Sequence, residues 1–311
     1  MRYVFFINPT AGKGKGPALL LPAIEEYFKD TSLEYKVIVT ESEGEAERRS
    51  REEAETGDEI TVFSCGGDGT FSEVLNGTYG FSNVSLGSIP CGSGNDFLKQ
   101  FDSSEPFSDI KSQMGGKSVP MDIIKVDDIF CMNICSLGMD AVVADMMTDF
   151  KRLPFVSGSL AYKLAVVKCF LKKIGINVKV TIDGVLLGTF NSLFVTCANG
   201  TTYGGGYKCS PGANPFDGRL EWLLVETVSK LRLPKFLKLY ERGEHENLPY
   251  VKHGHCKVME IEAERVAPIN VDGEILHKQK VRFELLRGAV KFILPRGIYE
   301  KYAVPAEAAQ K

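Results

Sequence analysis

The sequence predicts two domains: an N-terminal α/β domain on a parallel sheet, then a β-rich antiparallel C-terminal domain. Three observations carry this expectation. Strand-like and helix-like patterns alternate through the first 100 residues, as in sheets whose crossovers are helices. After Pro120 the pattern changes to short apolar runs separated by tight turns, which suits antiparallel pairing. The chain has 311 residues, 44% of them hydrophobic, and domains usually hold about 100–200 residues, so there is material for two cores.

In order along the chain, Tyr3–Ile7 is an uninterrupted apolar run, as expected of a strand covered on both faces. Residues 16–28 place Leu20, Ile24, Tyr27 and Phe28 at helical spacing. Tyr35–Val39 reads as the second strand. Residues 43–56 are polar, with Glu45/Arg49 and Arg48/Glu52 as i,i+4 pairs, and suit an exposed helix. Ile60–Ser64 and Val84–Ile89 read as the third and fourth strands, each followed by a glycine turn, with a short helix over Phe71–Tyr79 between them. Ligands of such sheets sit at the carboxyl ends of the strands, where both turns lie. The boundary falls near 115–122, at Gly115-Gly116-Lys117. Beyond it, runs 121–126, 129–136, 176–182, 185–198, 219–225, 256–262, 268–271 and 281–286 read as strands, with helices over 140–149, 159–173 and 229–241. Asp127-Asp128 and Asp183-Gly184 mark turns.

Lysine plus arginine count 37 against 40 aspartates and glutamates, a net charge of −3. A dedicated nucleic-acid partner is therefore not expected, since such domains are usually basic. No apolar run approaches the roughly 20 residues that cross a bilayer, and Tyr3–Ile7 is too short for a signal-peptide core. The expectation is a cytoplasmic protein. Its eight cysteines are scattered without a Cys-x-x-Cys pair and are expected to be reduced. His253, His255 and Cys256 lack a second cluster that would complete a metal site, and are read as a loop.

Three glycine-rich turns carry the chemistry. The first, Asn8-Pro9-Thr10-Ala11-Gly12-Lys13-Gly14-Lys15-Gly16, follows strand one. Its glycines, Gly12 among them, allow close backbone approach to phosphate, and Lys13 and Lys15 can neutralise it; a solvated basic turn fits equally. It matches neither the Walker A nor the dinucleotide spacing. The second, Cys65-Gly66-Gly67-Asp68-Gly69-Thr70, opens a helix. Gly66, Gly67 and Gly69 admit a polyphosphate, Asp68 can act through Mg²⁺, and the Thr70 hydroxyl can donate to phosphate. The third, Pro90-Cys91-Gly92-Ser93-Gly94-Asn95-Asp96, directs Asn95 and Asp96 to the same crevice, with Ser93 or Asn95 also able to cap the next helix.

In order, these motifs resemble the diacylglycerol kinase catalytic domain, whose superfamily includes bacterial lipid kinases and the sphingosine and ceramide kinases. The resemblance continues through Ser136-Leu137-Gly138-Met139-Asp140-Ala141, Tyr203-Gly204-Gly205-Gly206, Pro211-Gly212-Ala213-Asn214-Pro215-Phe216-Asp217-Gly218 and Val271-Asp272-Gly273-Glu274. It implies an α/β domain like those of phosphofructokinases and NAD kinases, with ATP in an interdomain cleft. It also implies a last segment that returns to the first domain, giving 1–120 plus about 295–311 as the nucleotide-binding domain and 121–294 as the lipid-substrate domain. By motif position, Asn8, Thr40, Gly66–Thr70, Glu73 and Ser93 fall to the nucleotide. Asp68 and Asp96 fall to a catalytic Mg²⁺ network, and a structural Mg²⁺ falls to Asp217 with backbone oxygens of Asn214 and Arg219. Many relatives carry two acidic residues before that last glycine, where Phe216 stands here.

The implied activity is phosphoryl transfer from ATP to a lipid hydroxyl, most simply that of diacylglycerol. Monoacylglycerol, sphingoid bases, ceramide and polyprenols remain alternative acceptors. A lipid hydroxyl must lose its proton as the phosphoryl group arrives, which calls for a carboxylate base. On residues alone, Gly273-Glu274 is equally a turn with an exposed glutamate; the resemblance makes Glu274 the base. NAD kinases share the Gly-Gly-Asp-Gly core but follow it with an Asn-Glu pair that residues 71–77 lack. A non-catalytic nucleotide-binding regulator is the reading of a different class, and it would not need Glu274. Residues 151–173 hold six basic and no acidic residues, with Leu160, Leu164, Val167 and Leu171 as a helical stripe. That pattern suits peripheral contact with a membrane surface or a core helix with a solvated lysine face. A homodimer is common among relatives.

Overall fold

The computed structural model describes residues 2–91, 94–101, 103–151, 168 and 175–302. The chain forms two compact units. The first holds Met1–Ile123, Pro215–Gly218 and Leu286–Lys311; the second holds Ile124–Asn214 and Arg219–Leu285.

In the first unit, β1 (Arg2–Ile7), β2 (Glu34–Val39), β3 (Ile60–Gly66) and β4 (Val84–Pro90) form a parallel sheet in the order β2-β1-β3-β4. The crossovers are α1 (Ala11–Gly14) with α2 (Gly16–Phe28), then α3 (Glu45–Ala54), then α4 (Asp68–Thr78). The chain leaves β1 towards one edge and leaves β3 towards the other, so the order reverses between these two neighbours. That reversal is where open α/β sheets hold ligands. The core is aromatic: Phe5 stacks on Phe63 at 5.2 Å and meets Phe28 edge-on at 5.9 Å. After β4 come a 3₁₀ turn (Phe97–Gln100), α5 (Glu105–Ser108) and α6 (Ile110–Met114).

The second unit is antiparallel. It contains β6 (Ile129–Cys131), β7 (Ile134–Gly138), β8 (Ile176–Ile182), β9 (Val185–Ala198), β10 (Leu220–Glu226), β11 (Val251–Cys256) and β12 (Val258–Val271). β5 (Lys117–Val126) runs into it and β13 (Glu274–Leu294) runs out of it. The order is β11-β10-β9-β7-β12-β13, with β8 paired to β9 and β12. Strand alternation buries both faces: Cys135, Leu137, Val195 and Cys197 enter one apolar cluster, and Ile134, Phe194 and Ala198 enter another. The helices are α7 (Met139–Lys151) and α8 (Leu233–Arg242), and α9 (Tyr299–Tyr302) closes the described chain in the first unit.

Several expectations need correction. The helix expected at Phe71 begins at Asp68, because the extended Gly67 acts as its N-cap. The run 129–136 is two strands, broken where the amides of Met132 and Asn133 turn to a side chain described below. The run 256–262, from Val258 on, and the run 268–271 belong to one strand, β12, with a bulge between Glu262 and Ala267, while Cys256 ends β11. His253, His255 and Cys256 lie on β11, not in a loop, and His255 Nδ1 stands 2.9 Å from Glu221 Oε1. Residues 215–218 and 286–294 group with the first unit because Asp122 holds them there: it accepts from the amides of Gly218 (2.7 Å) and Gly288 (2.6 Å). The helix expected over 159–173, and with it most of the 151–173 segment, lies outside the described residues. The seven described cysteines are free thiols.

Candidate active site

Three loops meet at the carboxyl ends of β1, β3 and β4. Asn8 ends β1; its Nδ2 donates to Thr70 Oγ1 (3.1 Å), and its Oδ1 accepts from the amide (2.9 Å) and hydroxyl (2.8 Å) of Thr10. One side chain thus joins the first turn to the second. Gly12, at φ 61°, packs against the third: a Cβ there would lie 2.8 Å from the Cys91 carbonyl oxygen. The second and third loops are laced by backbone, Cys91 N to Gly66 O (3.0 Å) and Asp68 N to Gly94 O (3.0 Å). A Cβ on Gly66 would overlap Thr70 Oγ1 at 2.3 Å, and one on Gly67 would lie 2.7 Å from Gly94 O. Gly69 is different. Among the described residues nothing lies within 4 Å of its Cβ position, which leaves room over the first turn of α4.

The two residues expected on the metal side are linked through a side chain and a backbone amide. Asp68 Oδ2 accepts from the Asp96 amide at 2.9 Å, and the buried Asp96 Oδ1 accepts from Lys99 Nζ at 2.5 Å. Asn95 is half-buried beside them. Thr40 is buried with its amide on the Ile7 carbonyl (3.0 Å) and its hydroxyl near the same oxygen (3.5 Å), so it fastens β2 to β1. Glu73 is turned elsewhere: its Oε2 accepts from the Ala46 amide (3.0 Å), at the N-terminus of α3, where a carboxylate complements the free amides and the dipole. Ser93 and the side chain of Lys13 lie outside the described residues.

In the second unit, Glu274 is exposed and starts β13 directly after a two-residue turn. Asp272 and Gly273 both have positive φ, 47° and 101°, the requirement of an Asp-Gly hairpin turn. The Asp272 carboxylate accepts three backbone amides, from Met132 (2.7 Å), Asn133 (3.1 Å) and Ile134 (2.9 Å), and Gly273 N donates to Asn270 Oδ1 (2.8 Å). Burial raises the Asp272 carboxyl above the ordinary carboxylate range, and those amides pull it back down. Glu274 therefore stands on a turn fixed from three sides.

Asp140 opens α7. Its Oδ2 accepts from the Tyr203 hydroxyl at 2.7 Å, and that hydroxyl lies 3.1 Å from the hydroxyl of Tyr240 on α8. Burial raises the Asp140 carboxyl, opposed by the Ser136 and Tyr203 hydroxyls. Asp122 is a site residue that sequence reasoning missed. It holds the Asp217 loop through Gly218 and takes the Pro215 carbonyl with its own amide (2.8 Å). Burial raises its carboxyl and the amides of Gly288 and Gly218 lower it, while the neighbouring Asp217 charge raises it further. A lone aspartate inside the apolar run Met121–Val126 was the available signal, since a charge is seldom buried without partners. Phe216, where relatives carry an acid, packs its ring 6.4 Å from that of Phe101. Among the described residues no cluster of three or more His, Cys, Asp or Glu side chains stands ready to hold a metal.

Comparison with known protein families matches residues 2–126 to the diacylglycerol kinase catalytic domain and residues 133–294 to the YegS C-terminal NAD kinase beta sandwich-like domain. The chain belongs to the diacylglycerol kinase and YegS family of lipid kinases. It is 26% identical over 302 residues to a diacylglycerol kinase of Staphylococcus carnosus, covering 94% of both chains. It is 30% identical over 238 residues to a YegS-like lipid kinase of Shewanella frigidimarina, covering 74% of this chain and 75% of that one. The fold is shared with a diacylglycerol kinase structure from Bacillus anthracis, at TM-score 0.68 and 21% identity over 96% of this chain and 98% of that one. It is also shared with an NAD kinase of Archaeoglobus fulgidus solved with ATP, at TM-score 0.53 and 15% identity over 100% and 99%. The family is one of kinases acting on lipids, and that implies use of ATP. No described helix is long and apolar enough to cross a membrane.

Proposed function

We propose that this lipid kinase transfers the γ-phosphoryl group of ATP to the free hydroxyl of diacylglycerol, giving phosphatidic acid and ADP. The observation that carries the reading is the junction of Asp68 and Asp96. It ties the Asp68 carboxylate to the third glycine loop, through the Asp96 amide, at the point where the sheet order reverses. The relative of S. carnosus that spans almost the whole chain, a diacylglycerol kinase by name, supports the acceptor.

The chain's own residues divide the work as follows. The amides and glycines of 66–69 receive the phosphates at the start of α4, where Gly69 leaves room. Asn8 keeps the first loop closed on Thr70, so the amides are oriented before substrate arrives. Asp68 and Asp96 would offer the hard oxygen donors that Mg²⁺ takes alongside phosphate and water. When bound there, Mg²⁺ would neutralise developing charge on the phosphates. A structural Mg²⁺ would fall to Asp217 and the backbone oxygens of Asn214 and Arg219; the carboxyl of nearby Asp122, pushed up chiefly by burial and further by the Asp217 charge, lies beside that loop. Glu274 takes the hydroxyl proton as the new O–P bond forms and the bond to the β-phosphate oxygen breaks. The turn at Asp272-Gly273 sets its position. The protein works in the cytoplasm and visits the membrane surface to reach its acceptor.

The test is transfer of labelled phosphate from ATP to a panel of diacylglycerol, monoacylglycerol, sphingosine, ceramide and undecaprenol, with NAD and fructose 6-phosphate as controls and mass identification of the product. Phosphatidic acid as the main product is expected. A phosphorylated product from another acceptor and none from diacylglycerol would overturn the substrate. Glu274→Gln should lower turnover by roughly 10²–10⁴-fold while ATP binding stays measurable; undiminished turnover would remove Glu274 from the role of base.

A further inference from the structure

We infer that the outward face of α8, with the turn that leads into it, is a docking surface for an anionic phospholipid bilayer. This rests on the lipid-kinase reading, because a bilayer is what presents an acylated acceptor. Residues 229–242 read Ser-Lys-Leu-Arg-Leu-Pro-Lys-Phe-Leu-Lys-Leu-Tyr-Glu-Arg, with five basic residues against one acidic one, the exposed Glu241 near the end of the helix. The inner face of the helix is fully used. Leu233, Phe236 and Tyr240 are buried, with the rings of Phe236 and Tyr240 at 5.8 and 4.9 Å from Phe194. Lys235 and Lys238 lie one turn apart on the opposite, exposed face. Before them, the amides of Arg232 and Leu233 both donate to the Ser229 carbonyl (2.9 and 3.2 Å) and fix a tight turn. That turn holds Leu231 outward at 94% exposure, with Lys230 and Arg232 on either side.

A solvated lysine face alone would give no reason to hold a leucine in water. A leucine flanked by cations matches a headgroup layer, with the apolar tip entering the acyl boundary and the cations reaching phosphates. Some other basic side chains of this unit are paired, among them Lys252 with Glu226 at 2.8 Å, Lys280 with Glu262 at 3.1 Å and Arg282 with Glu260 at 3.1 Å. Arg232, Lys235 and Lys238 have no carboxylate partner among the described residues. Another exposed apolar group, Val185 to Leu187 at the β8–β9 turn, adjoins the strand carrying Glu260 and Glu262, whose carboxylates already pair Arg282 and Lys280, so those two cations are not free to meet an anionic surface. The α8 surface is also rigidly tied to the rest of its unit. Tyr240 meets Tyr203, which bonds Asp140 and precedes the exposed Gly204–Gly206 turn. The patch is separate in sequence from 151–173.

The experiment is co-sedimentation of the full chain with vesicles of phosphatidylcholine alone or mixed equally with phosphatidylglycerol. Binding is expected to the anionic vesicles and not to the neutral ones. Each basic residue near such a surface is worth roughly fivefold in partition, so Lys235→Glu with Lys238→Glu should cut binding by about tenfold or more. Lys235→Arg with Lys238→Arg should restore it. Leu231→Ser should weaken binding severalfold, and Leu231→Trp should shift to the blue and be quenched by brominated lipid. Unchanged partition of the double charge reversal, or equal binding to neutral vesicles, would overturn the inference and would point to an acidic protein partner instead. Transfer to dioctanoylglycerol in detergent micelles should be the same for all these variants. A chain inactive in that assay would undo the lipid-kinase reading, while vesicle binding is read separately.

Discussion

Gly67 and Gly69 stand two residues apart on one loop, and the structure assigns them opposite sensitivities. A methyl on Gly67 would lie 2.7 Å from the Gly94 carbonyl oxygen, a backbone atom held in place by the Asp68 amide. Gly67→Ala must therefore push the second and third loops apart. We expect a lower melting temperature and a KM for ATP at least about tenfold higher, since misplaced amides lose charge stabilisation. A methyl on Gly69 meets no described residue within 4 Å and sits in the first turn of α4. Gly69→Ala should stabilise the fold by about 0.5–1 kcal/mol, because alanine loses less backbone freedom in a helix. Its methyl would still occupy the space assigned to phosphate, so ATP affinity should fall while stability rises. Thermal denaturation with and without ATP separates the two outcomes. Equal loss of stability in both variants would show that the loop is only a tight turn.

At the scale of elements, the β12–β13 hairpin depends on residues far away in sequence. Asp272 takes amides from 132–134, and this contact is also what divides β6 from β7. Asp272→Ala would leave three amides of buried residues without an acceptor, at about 1–3 kcal/mol for each that stays dry. We expect a large fall in melting temperature, together with a kcat loss exceeding any change in the KM for ATP, because the turn carries Glu274 and not the phosphate loops. A kcat unchanged in the folded variant would uncouple Asp272 from Glu274. The same long-range dependence sets how far the sequence could be read. The glycine loops and the strand–helix rhythm were legible because turn chemistry and periodicity are local. The tight Asp-Gly turn was legible for the same reason. The three amides that hold Asp272 were not, since 138 to 140 residues separate the partners. Glu73 was assigned to nucleotide by its place in a motif, and only the packing of α3 beside α4 reveals that it caps a helix. β12 appeared as two strands because its bulge interrupts the alternation that marks a strand.

For the whole molecule, stability against pH combines buried groups of opposite sign. Asp122, Asp140 and Asp272 all have carboxyls raised mainly by burial. The folded chain binds their protons more tightly than the unfolded chain does, so these three favour the fold as pH falls towards 3.8. His245 acts the other way. It is fully buried beside Tyr240, with ring centres 4.7 Å apart, and Nε2 lies 3.0 Å from the Cys209 carbonyl oxygen. Burial lowers its pKa from 6.5 to about 4, opposed by the Cys209 carbonyl and reinforced by the neighbouring His253. A base with a depressed folded pKa gives stability that is complete above 6.5 and is lost as pH falls through 6.5 towards about 4. The span amounts to about 3.5 kcal/mol at most, since one pKa unit is about 1.4 kcal/mol. The carboxylates mask part of this in the intact protein, so the informative quantity is a difference. His245→Gln keeps a polar group near the Cys209 carbonyl and removes the titration. Melting temperatures of the two proteins should converge as pH is lowered from 7 to 4, even if the variant starts lower. Parallel curves across that range would show that His245 is protonated in the fold and that its burial does not set the acid limit of this protein.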